Sequence, residues 1–208
     1  MNRIIVLLIL SGTFLIGCKT KQVVINDAKV FDKAGLPYYN MPAASEKYTA
    51  EMVVARMIDG LGFRFYWATD GLRAEDLSFR PTEKSRTSEE TIDHIMGLST
   101  VISNAVFGIK NVRSGEETSP KDFITKRKET LETLKKASDH LKQGKVKLAE
   151  LAIVFSNNNN DTTFPFWNVI NGPIADALWH VGQVVTFRRS SGNPFNGKAN
   201  VLTGTVRE

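Results

Sequence analysis

Cysteine is nearly absent from this chain. Cys18 stands alone among 208 residues, so no intramolecular disulfide can form and a zinc finger is excluded. The chain also lacks an apolar run long enough to cross a membrane. Ile4 to Gly17 is its longest candidate, and a spanning helix needs roughly 17–25 apolar residues. Charge of one sign is not in large excess: a net +5 and a pI of 9.3 describe a mild basic balance rather than a nucleic-acid surface. The densest basic stretch, Lys121 to Lys147, is interleaved with Glu129, Glu132 and Asp139 and reads as the solvated face of a helix. No Ser-His-Asp triad signature, glycine-rich phosphate loop or internal repeat is evident.

What is present begins with an export signal. Arg3 gives a short positive start, Ile4 to Leu10 is unbroken apolar sequence, and Phe14-Leu15-Ile16 extends it after Ser-Gly-Thr. The ending Leu15-Ile16-Gly17-Cys18 resembles the lipobox of bacterial lipoproteins. That resemblance implies cleavage before Cys18 and lipid on its sulfur, where several acyl chains make a stable membrane anchor. Residue 19 is Lys rather than Asp, so no familiar inner-membrane retention signal is visible. The expected place is the outer membrane, facing the periplasm. Residues 1–17 are then a removed signal peptide. Residues 18–44, with Gly35, Pro37 and Pro42 and no sustained periodicity, form a lipid-anchored tether that packs partly on the domain. Residues 45–208 form that domain.

Within the domain, four segments carry helical periodicity. The first runs from about Ser45 to Gly71, with Val54, Ile58, Leu61, Phe65, Ala68 and Leu72 spaced by fours and threes. An extended connector, Leu77-Ser78-Phe79-Arg80-Pro81, follows it. The second opens at the capping box Thr87-Ser88-Glu89-Glu90 and buries Ile92, Ile95, Ile102, Val106 and Ile109, with His94 on a neighbouring inward face. The third opens at Ser119-Pro120 and carries Phe123, Ile124, Leu131, Leu134 and Leu141, with His140 beside them at the surface. The fourth runs from Gly172-Pro173 to about Arg189, where Arg188-Arg189 suits the negative helix terminus. Between the third and fourth, Leu148 to Phe155 is strand-like or irregular, and Asn157 to Asp161 is a polar turn. The expected fold class is all-α, a four-helix bundle.

One constellation could carry chemistry. Asp176 and His180 stand at i and i+4 on one helical face, and His94 on the second segment can meet them. Two imidazoles and one carboxylate suit a divalent first-row ion with positions left open. Gln183 can bond a ligand or the backbone. Trp179, Trp167 and Tyr66 are candidates for a pocket wall, though such aromatics more commonly belong to a core.

From Ser45 onward the chain resembles the DinB/YfiT-like family of four-helix-bundle candidate metalloenzymes. The resemblance lies in Tyr66-Trp67-Ala68-Thr69-Asp70-Gly71-Leu72 with the Leu77–Pro81 stretch, in Ser88 to Ile95, and in Asp176-Ala177-Leu178-Trp179-His180-Val181-Gly182-Gln183. The last is similar to the family's His-x-x-x-His followed by Arg-Gly-Gln. His94 and His180 match family histidines, and Asp176 departs from the pattern. The resemblance implies a bound divalent metal (Zn, Ni, Mn or Fe), a small-molecule substrate and, often, a homodimer. Some members activate a low-molecular-weight thiol, of which an exported protein meets little, so hydrolysis or group transfer is the expected chemistry. The alternative is a non-catalytic bundle in the envelope that binds a ligand or partner and has lost the metal.

Overall fold

The computed structural model describes residues 30–112, 121–157 and 160–207. The export signal, Cys18 and the Ser119-Pro120 helix start lie outside these residues. The described chain is mainly helical, with two small sheets.

Four long helices supply the frame. They are α1 (Ala50–Thr69), α3 (Ser88–Phe107), α4 (Phe123–Lys142) and α6 (Ala175–Ser190); α2 (Ala74–Ser78) is a short turn between the first two, and α5 (Trp167–Val169) is a single turn before the last. α1 and α3 each pack against both α4 and α6, so each long helix has two main neighbours. Most of the expected stripes lie at the centre: Val54, Ile58, Leu61 and Phe65 from α1, Ile92, Ile95, Ile102 and Val106 from α3, and Leu131, Leu134 and Leu141 from α4 are all buried, whereas Ile124 in the first turn of α4 is 69% exposed. No described helix is long and apolar enough to cross a membrane.

Local chemistry sets the ends of these helices, and it moves several expected boundaries. α1 begins at Ala50 rather than near Ser45 because the Thr49 hydroxyl accepts from the Met52 N–H. The capping box of α3 forms as expected, Thr87 accepting from Glu90 N–H and Glu90 from Thr87 N–H. That helix stops at Phe107 because Gly108 adopts φ +66°, so Ile109 is exposed instead of continuing the buried stripe. Asp122 caps α4 by accepting from Thr125 N–H. Leu77 and Ser78, expected in an extended connector, are helical, because Asp76 accepts from the Arg73 N–H and closes a turn.

The all-α expectation needs correction in two places. The strand-like stretch is a real hairpin: β2 (Ala152–Asn157) pairs antiparallel with β3 (Asn160–Pro165), and β1 (Asn111–Val112) adds in parallel to β2. A second hairpin, β4 (Ala199–Asn200) with β5 (Thr205–Val206), carries no helical or alternating pattern of any length.

The segment expected as a tether contributes to the core. Val30, Tyr38 and Met41 are buried, and the Tyr38 hydroxyl donates to Asp59 at 3.2 Å. A Cβ on Gly62 would overlap the Tyr38 ring, so glycine at 62 is what lets this strap lie against α1. Asp59 is itself buried, accepting 2.6 Å bonds from Ser138 Oγ and Lys142 Nζ and so tying α1 to α4. The basic face of α4 is not uniformly solvated. Lys126 is buried between Glu89 and Asp93, and Arg127 lies over the Tyr66 ring and donates to Thr69 Oγ1. Arg188 serves the C-terminus of a different helix from its own. It is buried and donates to the Trp67 and Ala68 carbonyls in the last turn of α1.

Candidate metal centre

Two helices bring the candidate ligands together. α6 is preceded by a single π-type turn, Ile170–Ile174, in which the Ala175 N–H reaches back to the Ile170 carbonyl. Gly172 breaks the helical φ/ψ there, and Pro173 restarts the helix at a position where a missing N–H costs nothing. Asp176 and His180 follow on successive turns of α6. His94 lies near the start of α3, which packs against both α6 and the π turn.

The three side chains converge. Each offers one ligand atom within 4.8 Å of the other two. His94 Nε2 stands 3.3 Å from Asp176 Oδ2, and His180 Nε2 stands 3.3 Å from Asp176 Oδ1. The imidazole centroids are 4.6 Å apart and the rings nearly perpendicular, at 87°. Two donors about 2.1 Å from one ion stand about 3.0 Å apart at a right angle and about 3.4 Å apart at the tetrahedral angle. The observed 3.3 Å separations fall between these, each to a different oxygen of Asp176, and the ligand atoms of the three residues lie within 4.8 Å of one another, a group that could hold a divalent ion.

The tautomer of His180 sharpens this. Its Nδ1 lies 2.7 Å from Gln183 Oε1, and the tautomer that donates this bond carries its proton on Nδ1. Nε2 then turns a lone pair toward the Asp176 carboxylate. Gln183 touches the candidate ligand His180 through that contact. Solvent reaches the cluster: the side chains are 34% (His94), 40% (Asp176) and 15% (His180) exposed.

The candidate pocket aromatics separate. Tyr66 is buried, donates to Asp32 Oδ2 at 2.8 Å and packs between Tyr39 and Trp67. It belongs to the core. Trp179, the neighbour of His180, is 73% exposed, and Trp167 is 76% exposed. Neither is a core residue. His140 is half-buried, its ring 4.4 Å from that of Phe107, and stands apart from the cluster. The helix break at Gly172-Pro173, which aims Asp176, was legible only as a helix start. Compared with models of protein families, with curated proteins and with solved structures, the chain matches none.

Proposed function

We propose that this chain is an exported lipoprotein of DinB/YfiT-like four-helix-bundle type that holds a divalent metal on His94, Asp176 and His180 and acts as a hydrolase or transferase on a small molecule. The observation that carries the reading is the convergence of His94, Asp176 and His180, whose ligand atoms all lie within 4.8 Å of one another. The ring of four long helices supports the bundle type. Export and a lipid anchor rest on the sequence ending Gly17-Cys18.

A divalent ion in such a site supplies Lewis acidity and acidifies water. The chain's own part is to orient and to admit. Gln183 fixes the His180 ring, Asp176 contributes charge that favours a dication, and the exposure of all three leaves room for substrate.

The test is elemental analysis of untagged protein, with the melting temperature read against added Zn, Mn, Fe and Ni. An ion at about 100 times its Kd adds about 2.7 kcal/mol, a rise of about 5–10 °C for a chain of this size. His180→Ala abolishes both the metal and the shift. Protein that carries no metal and ignores all four ions would end the reading. The competing non-catalytic reading then stands, because a carboxylate 3.3 Å from each of two imidazoles is also a hydrogen-bonded strut between α3 and α6.

A further inference from the structure

Away from the histidine cluster, the turn at Leu148–Glu150, the foot of the β2–β3 hairpin and the run from Phe166 to Ile170 enclose a groove of about 720 Å³. That volume is typical of small-molecule sites, which occupy about 300–1,000 Å³. Its lining is mostly apolar, from Leu148, Leu151, Pro165, Phe166, Trp167 and Ile170. Trp167 leaves 76% of its surface in water and has no ring or hydrogen-bond partner among the described residues. An indole so placed has a large apolar area and a free π face to offer a ligand.

Glu150 is the one charged residue of the lining, and the Thr163 hydroxyl and the Trp167 indole N–H are its other polar side-chain groups. The Glu150 carboxylate makes no ion pair or side-chain hydrogen bond among the described residues. Lys147 nearby acts on Glu51, which also accepts the Leu148 N–H. No Lys or Arg lines the groove. An anion would therefore meet a carboxylate and no counter-charge. An uncharged ligand would strip water from Glu150 without replacing it. A cation satisfies the carboxylate and uses the indole as well.

We propose that this groove is a binding site for a cationic amphiphile: a small molecule with an apolar body and an amine or quaternary ammonium head. The body covers Leu148, Leu151, Phe166 and Ile170, and the head is held by Glu150 with the Trp167 indole against it. The site is independent of any metal on His94, Asp176 and His180.

Calorimetric titration with decyltrimethylammonium, decyl sulfate and decyl glucoside, each below its micelle concentration, tests this on the purified protein. The expected order is ammonium tightest, by about tenfold over sulfate. The net charge of +5 would bias nonspecific binding the other way. Trp167→Ala weakens the ammonium ligand, and Glu150→Gln removes the preference among heads while leaving the helical circular dichroism intact. His180→Ala binds as the unaltered protein does, which separates this result from the metal assay. Equal affinity for the three heads, a preference for sulfate, no measurable binding, or an unaffected Trp167→Ala overturns the proposal.

Discussion

At the scale of single residues, Gln183 is the most informative side chain outside the candidate ligands. It touches His180 at 2.7 Å and sits half-buried on α6, so its loss should loosen the ligand without disturbing the fold. Partners of this kind contribute about 10–100-fold to metal affinity. Gln183→Leu is expected to weaken ion binding by that factor, measured by competition with a chromophoric chelator, while its metal-free melting temperature stays near that of the unaltered protein. Asp76 shows a different dependence. Arg73 donates to its carboxylate, Ser191 and Asn193 add to it, and these bonds hold its pKa well below the usual carboxylate range. A depressed folded pKa means that the stabilisation is complete above the unfolded value of about 3.9 and is lost as pH falls below it. Asp76→Asn should thus be less stable by a constant amount above about pH 4, with the gap narrowing under more acid conditions, as read from urea midpoints. A gap that widens in acid would refute this. His94, Asp176 and His180 were legible because helical spacing places side chains on faces. Asp59 and Arg188 were not, because a buried charge is defined by partners remote in the chain, such as Lys142 and the Trp67 carbonyl.

At the scale of elements, the long helices followed from their apolar stripes and the Thr87 capping box, which are local signals. Ends were harder to read, since a few atoms decide them: the Thr49 hydroxyl at one end of α1, the left-handed Gly108 at the close of α3. The hairpins were harder still. β3 is exposed throughout, so it carries no alternation, and β4 and β5 are two residues each. Glycines inside the helices make a sharp comparison. Gly62→Ala drives a methyl group into the Tyr38 ring and should cost about 1–3 kcal/mol. Gly97→Ala, on the exposed face of α3 with open space around it, should stabilise by about 0.4–1 kcal/mol. Chemical denaturation of both variants checks the opposite signs.

At the scale of the whole molecule, the folded unit reaches back beyond the boundary expected at residue 45. Val30, Tyr38 and Met41 are core residues, and the Met41 N–H bonds to the Gly204 carbonyl, so the strap joins α1 to the C-terminal hairpin. Starting the chain at Ser45 empties the Tyr38 site and should lower stability by about 3–5 kcal/mol, the usual loss for a large buried aromatic. Urea midpoints of that truncation and of a chain starting at residue 30 make the comparison, and equal midpoints would refute it. Proline and glycine in the strap gave the sequence its linker-like look, because periodicity reports helices and strands but not a chain laid irregularly over a core.

The partial exposure of all three candidate ligands has a further consequence. Buried positions such as Ile95 and Ala177 hold the two supporting helices in place, while the side chain at position 176 is 40% exposed. What the side chain there is made of can therefore change, carboxylate to imidazole or the reverse, without a clash in the core, at the cost only of its contacts to His94 and His180. In the proposed metal site, selectivity among ions would be the property most open to revision by a single codon.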